Sequence, residues 1–172
     1  MGNIKIKSNL VLMVVAAAFA LTLFRPAPAS GQFYFMENED IGKEIKDFTL
    51  KMVNGEEGNL KKYLDGKKGV VFFWATWCPH CVKELQVLNN QKDDIAKKGI
   101  KLVLVDVGED EGIVGRYLKK KNIEMDVFLD EDSEVSDAYG LIGVPTFYFV
   151  DDKGMVADVK HSLPDDLEKV FQ

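Results

Sequence analysis

Apolar residues along this chain follow two different periods, and the switches between them outline its elements. Gly69–Trp74 (Gly-Val-Val-Phe-Phe-Trp), Ile100–Val107 and Phe147–Val150 are apolar without alternation, which reads as strands buried on both faces. Met125–Leu129 is a shorter strand of the same kind. Between them the spacing becomes helical. From Pro79 to about Lys98, Val82, Leu85, Leu88 and Ile95 recur near one face, Pro79 stands in the first turn and Gly99 can cap the end. Ile113–Lys121 and Ser133–Tyr139 predict two further helices, the second ending at Gly140. Asp151-Asp152-Lys153-Gly154 is a turn into a strand over Met155–Val159, and Ser162–Phe171 is expected to close the chain as a helix with Pro164 in its first turn. Asp47–Leu60 alternates weakly around Asn54-Gly55, a hairpin signal. Strands and helices alternate until a terminal hairpin and helix, the plan of an α/β domain with a mixed sheet.

The N-terminal pattern is of another kind. Leu10–Phe24 is apolar apart from Thr22, with Lys5 and Lys7 before it and Ala27-Pro28-Ala29 after it. Basic, apolar and small-residue segments in that order make a secretory signal. The run is short against the about 20 residues of a spanning helix, yet Arg25 is unusual ahead of a cleavage site. Signal peptide and retained membrane anchor both stay open, and either sends the rest of the chain across the membrane. The expected organisation is an export segment over 1–30, a polar linker and lead-in over 31–46 with the aromatic cluster Phe33-Tyr34-Phe35, and a globular domain over 47–172. No cysteine lies near residue 30, which excludes a lipid anchor through one. The location implied is the periplasm or the outer face of the cytoplasmic membrane.

Composition adds limits. With 47% apolar residues in 172, one domain has ample core. The formal charge is −6, and the first thirty residues hold no acid, so the domain itself is more acidic still. An acidic domain without basic clusters argues against a nucleic-acid partner. The runs Glu109-Asp110-Glu111, Lys119-Lys120-Lys121 and Asp130-Glu131-Asp132 read as solvated loops or faces.

The only two cysteines stand together in Trp77-Cys78-Pro79-His80-Cys81, between a buried strand and a helix. A thiolate at a helix N-terminus faces the positive end of the macrodipole and unpaired N–H groups, so its pKa falls. A second thiol one turn on can resolve a mixed disulfide. A purely structural disulfide closing so short a loop would constrain the unfolded chain little. A metal site lacks a second cysteine pair to complete a tetrahedral set, and no cofactor is needed when the chain itself carries electrons. His80 can place positive charge beside Cys78, which favours the thiolate and makes the disulfide more oxidising. His161 reads as an isolated surface residue, and Trp74 and Trp77 as packing around the site.

Phe73-Trp74-Ala75-Thr76-Trp77-Cys78-Pro79-His80-Cys81 resembles the active-site segment of thioredoxin-fold oxidoreductases, and Gly143-Val144-Pro145-Thr146 resembles the loop whose proline is cis in that family. The wide spacing between the two motifs, the Asn54-Gly55 hairpin and the export segment are similar to the exported TlpA/ResA-like branch, over roughly residues 41–172. The resemblance implies a thioredoxin-like fold with an N-terminal β-hairpin and an extra strand–helix unit at Ile100–Asn122. It implies Cys78 as nucleophile, Cys81 as resolving thiol, a redox-active Cys78–Cys81 disulfide, and Pro145 shaping a substrate groove. The Val144 backbone would pair with an extended substrate segment beside Trp77. Glu84, three residues after Cys81, stands where that branch often carries a proton-handling glutamate. Phe72 occupies the place of thioredoxin's buried aspartate, so that relay is absent. The expected activity is a thiol–disulfide oxidoreductase acting on protein disulfides or dithiols, as a reductase of the cytochrome c maturation type with apocytochrome c as substrate and a membrane redox partner. Cys-Pro-His-Cys is also the motif of the oxidant DsbA, so a disulfide-donating oxidase is the alternative, and a thiol-based metal chaperone is the rival from another class.

Overall fold

The computed structural model describes residues 38–171. The apolar run at 10–24 and the aromatic cluster at 33–35 lie outside the described residues. The elements are β1 (Thr49–Lys51), β2 (Glu57–Asn59), α1 (Leu60–Leu64), β3 (Lys68–Trp74), α2 (Pro79–Lys97), β4 (Ile100–Val107), α3 (Glu111–Lys121), β5 (Val127–Asp130), α4 (Glu134–Ala138), β6 (Thr146–Val150), β7 (Val156–Lys160) and a closing 3₁₀ turn, Glu168–Phe171. Five strands form one sheet in the order β5-β4-β3-β6-β7. β3, β4 and β5 run parallel, joined by helical crossovers, while β6 and β7 are antiparallel additions. β1 and β2 form the expected hairpin.

β3 lies at the centre and is covered on both sides, which is why its sequence does not alternate. Val70, Phe72 and Trp74, with Leu104, Phe147 and Phe149, face Leu85 and Leu88 of α2 and Val114 and Leu118 of α3. Val71, Phe73, Val103 and Tyr148 face Phe48, Met52, Leu60 and Tyr139 on the other side. Phe72 stacks on Phe147 with centroids 4.2 Å apart. The residue that replaces the thioredoxin aspartate is therefore bound into the apolar packing.

Several expectations need correction. Ser162–Phe171 is not a helix, and only Glu168–Phe171 winds, as a 3₁₀ turn. Pro164 disfavours the helical conformation at the residue before it, and the Asp166 carboxylate accepts from Glu168 N, so the turn begins there. α1 was not anticipated, because five residues are too few to show a period; Asn59 caps it by accepting from Lys62 N. Part of the lead-in is folded: Gly42 N donates to Val156 O, Ile45 N to Gly154 O, and Ile45 is buried. The acidic runs are not simply solvated, since Asp130 is fully buried and caps α4 through Val135 N and Ser136 N.

Candidate active site

The sheet brings the two separated motifs together by register. β3 ends at Trp74 and delivers Cys78 to the start of α2, while antiparallel β6 begins where β3 ends, Thr146 lying opposite Phe73. Gly143–Pro145 is thereby held against the dithiol, with Cys78 Sγ 3.7 Å from Val144 O. The Val144–Pro145 peptide bond is cis. Val144 N–H donates to no backbone group among the described residues.

Cys78 is the N-cap of α2, its sulfur accepting from Cys81 N at 3.1 Å, and Pro79 fills the first turn where its missing N–H leaves nothing unpaired. Cys78 and Cys81 form a disulfide with Cα atoms 5.3 Å apart. Cys81 is fully buried, whereas Cys78 keeps 5% of its surface. Trp77, next to Cys78 in the chain, is 67% exposed, and Ile142, two residues before Val144, is fully exposed. Trp74, in contrast, is entirely within the core. His80 is exposed and Glu84 half-buried on α2; among the described residues neither makes a side-chain hydrogen bond or ion pair.

Three groups missed at the level of sequence surround this arrangement. His161 follows β7, whose pairing with β6 carries it back to the proline loop. Its Nδ1 lies 3.1 Å from Pro145 O and 3.2 Å from Thr146 Oγ1. The carbonyl can only accept, so Nδ1 carries the proton. His161 is a surface residue, but a placed one. Glu109 is almost wholly buried and grips Thr76, its two oxygens accepting from Thr76 N and Oγ1, each at 2.6 Å. Asp106 is fully buried on β4, in register with Trp74. Burial above all, and then the charge of Glu109, push its carboxyl up to about 8. An acid within a strand buried on both faces was the visible signal for it.

A groove of about 610 Å³ lined by Tyr63, Ile100, Leu118 and Met125 lies at the opposite end of the parallel strands and touches none of these residues.

The AhpC/TSA family model matches residues 41–159. Over 149 residues the chain is 31% identical to the thiol–disulfide oxidoreductase ResA of Bacillus subtilis, covering 87% of this chain and 80% of that protein. A ResA of Bacillus cereus is 29% identical over 147 residues, 86% of this chain and 82% of that one. The crystal structure of StoA from Bacillus subtilis aligns with a TM-score of 0.60 and 26% identity, over 73% of this chain and 93% of StoA.

Proposed function

Because the chain belongs to the AhpC/TSA family of thioredoxin-like proteins and is a thiol–disulfide oxidoreductase, we propose that it serves outside the cytosol as a protein-disulfide reductase of the cytochrome c maturation type. The observation that carries this reading is the Cys78–Cys81 pair capping α2 against the Val144–Pro145 loop, in a chain similar to ResA. The basic and apolar order of residues 5–24 supports export, with residues 10–24 as signal or tether and 47–172, joined by the folded part of the lead-in, as the catalytic domain.

Cys78 acts as the nucleophile because it caps the N-terminus of α2 and keeps 5% of its surface where Cys81 keeps none. Its thiolate attacks a substrate disulfide; a Cys78–substrate bond forms and the other substrate sulfur leaves as a thiolate. Cys81 then attacks Cys78 Sγ, closing the internal disulfide and releasing the second substrate sulfur. Two electrons pass to the substrate, and a membrane dithiol restores the pair. Val144 N–H and the Pro145 surface receive an extended segment as an added strand, with Trp77 as its apolar wall. Glu84, one turn beyond Cys81, accepts that thiol's proton as it attacks. The substrate this reading names is the disulfide of a haem-attachment cysteine pair in apocytochrome c, which must be reduced before haem can be joined to it.

A second reading, a DsbA-like oxidase, is favoured by His80, exposed in the first turn of α2 where its charge can stabilise the Cys78 thiolate. The reduction potential of the pair decides between them. Equilibration with glutathione buffers is expected to return about −250 mV or lower; a value of roughly −120 to −180 mV would replace the reductase by the oxidase.

A further inference from the structure

The sheet holds a second buried acid that the dithiol chemistry above does not use. Residues two apart on a strand share a face, so Asp106 lies on the side of Leu102 and Leu104, which packs against α2 and α3 together with Trp74 and Cys81. Its two oxygens and Trp74 Nε1 are buried without a partner among the described residues. The groups around it are Glu109 from the loop after β4, Asp130 at the end of β5, the Cys78–Cys81 pair on α2, and Tyr117 of α3, whose ring lies 5.9 Å from that of Trp74. Every one is acidic or neutral, and among the described residues no lysine or arginine pairs with Asp106, Glu109 or Asp130.

Two bare carboxylates offer only acceptors and repel one another; with one proton between them they attract. Both Glu109 oxygens already accept from Thr76, whereas the Asp106 oxygens have no donor among the described residues and burial favours their neutral form, so the proton belongs on Asp106. Thr76 stands two residues before Cys78, whose N–H bonds back to Ala75 O. The acid pair and the dithiol are thus connected through one short loop.

We propose that Asp106 is a positioning residue for the dithiol, held neutral in the sheet interior so that Glu109 can keep its carboxylate on Thr76 and fix the loop that presents Cys78. Loss of that proton places two like charges in the sheet interior, loosens the clamp, and adds negative charge on the side of the sheet where Cys81 lies, opposing thiolate formation. The link to Cys78 rests on the reading of Cys78 as the nucleophile; the acid pair itself does not.

The test begins with the unmodified oxidised protein carrying ¹³C-labelled aspartate carboxyls, titrated by NMR. One aspartate is expected to titrate near 8, and Glu109→Gln is expected to shift its midpoint downward by removing the neighbouring charge. No aspartate titrating above neutrality, or a midpoint unmoved in the variant, overturns the neutral Asp106 beside Glu109. In the reduced protein, the rate of Cys78 alkylation against pH is expected to show a second inflection that Asp106→Asn removes; superimposable profiles overturn the positioning role. Should Asp106→Asn fail to fold, Glu109→Gln is followed in the same alkylation assay, where the inflection is expected to move with the NMR midpoint and its staying fixed overturns the role. Alkylation absent at Cys78 in all forms would remove the nucleophile reading while leaving the titration result standing.

Discussion

Cys78 and Cys81 are one turn apart, yet Cys78 keeps 5% of its surface and Cys81 keeps none. That difference divides their roles. Cys81→Ser is expected to accumulate a mixed disulfide between Cys78 and a protein substrate, seen as a reducible band on non-reducing gels, whereas Cys78→Ser traps none. Equal trapping by both variants would contradict the division. At Asp106 the sign of the pH effect comes from its raised pKa. Between about 4 and 8 the native chain keeps a proton that the unfolded chain has released. Stability from this group is fully present below that window and lost as pH rises through it. The Tm of wild type is therefore expected to fall more between pH 5 and 8 than that of Asp106→Asn, the difference between the two cancelling the other groups. Parallel curves would mean that Asp106 is ionised throughout.

At the scale of elements, one close approach sets the hairpin against the sheet. The β1–β2 hairpin lies on the sheet with no room to spare: a Cβ on Gly58 would meet the Phe128 ring and come within 2.6 Å of Met52 Sδ. Gly58→Ala is expected to cost about 1–3 kcal/mol through overpacking, read as a lower midpoint in urea with an unchanged slope. An unaltered midpoint would show the hairpin free to lift. Legibility also varied by element. β4 was read with both of its ends, and α2 to within a residue, because long apolar runs and a full helical period are strong local signals. The stretch 162–171 failed, since Leu163, Leu167 and Val170 mimic a helical spacing while Pro164 and the Asp166 turn decide the backbone.

For the molecule as a whole, the redox reading carries a stability consequence. A dithiol that passes electrons on is one whose native disulfide is favoured, whereas strong protein oxidants stabilise their reduced form. The oxidised protein is expected to melt at a higher temperature than the reduced one; the reverse order would favour the oxidase reading. The fold serves this chemistry by topology rather than by a cavity. A central strand feeds the dithiol helix, an antiparallel neighbour starts beside its end, and the next strand returns His161 to the same loop.

What the sequence determined by itself was the class of chemistry and the order of elements. A Cys-x-x-Cys between a buried strand and a helix, and a Gly-Val-Pro-Thr before another strand, are local statements about backbone and thiol. The tertiary structure alone decided which polar groups serve that chemistry. Glu109 stands 33 residues from Thr76 and His161 sits 16 from Pro145, so no local period could pair them. An acid in a strand looks like any other until register carries it inside, as it carries Asp106 beside Trp74. Burial then makes an ordinary aspartate hold its proton, because a charge removed from water must find a partner or be neutralised.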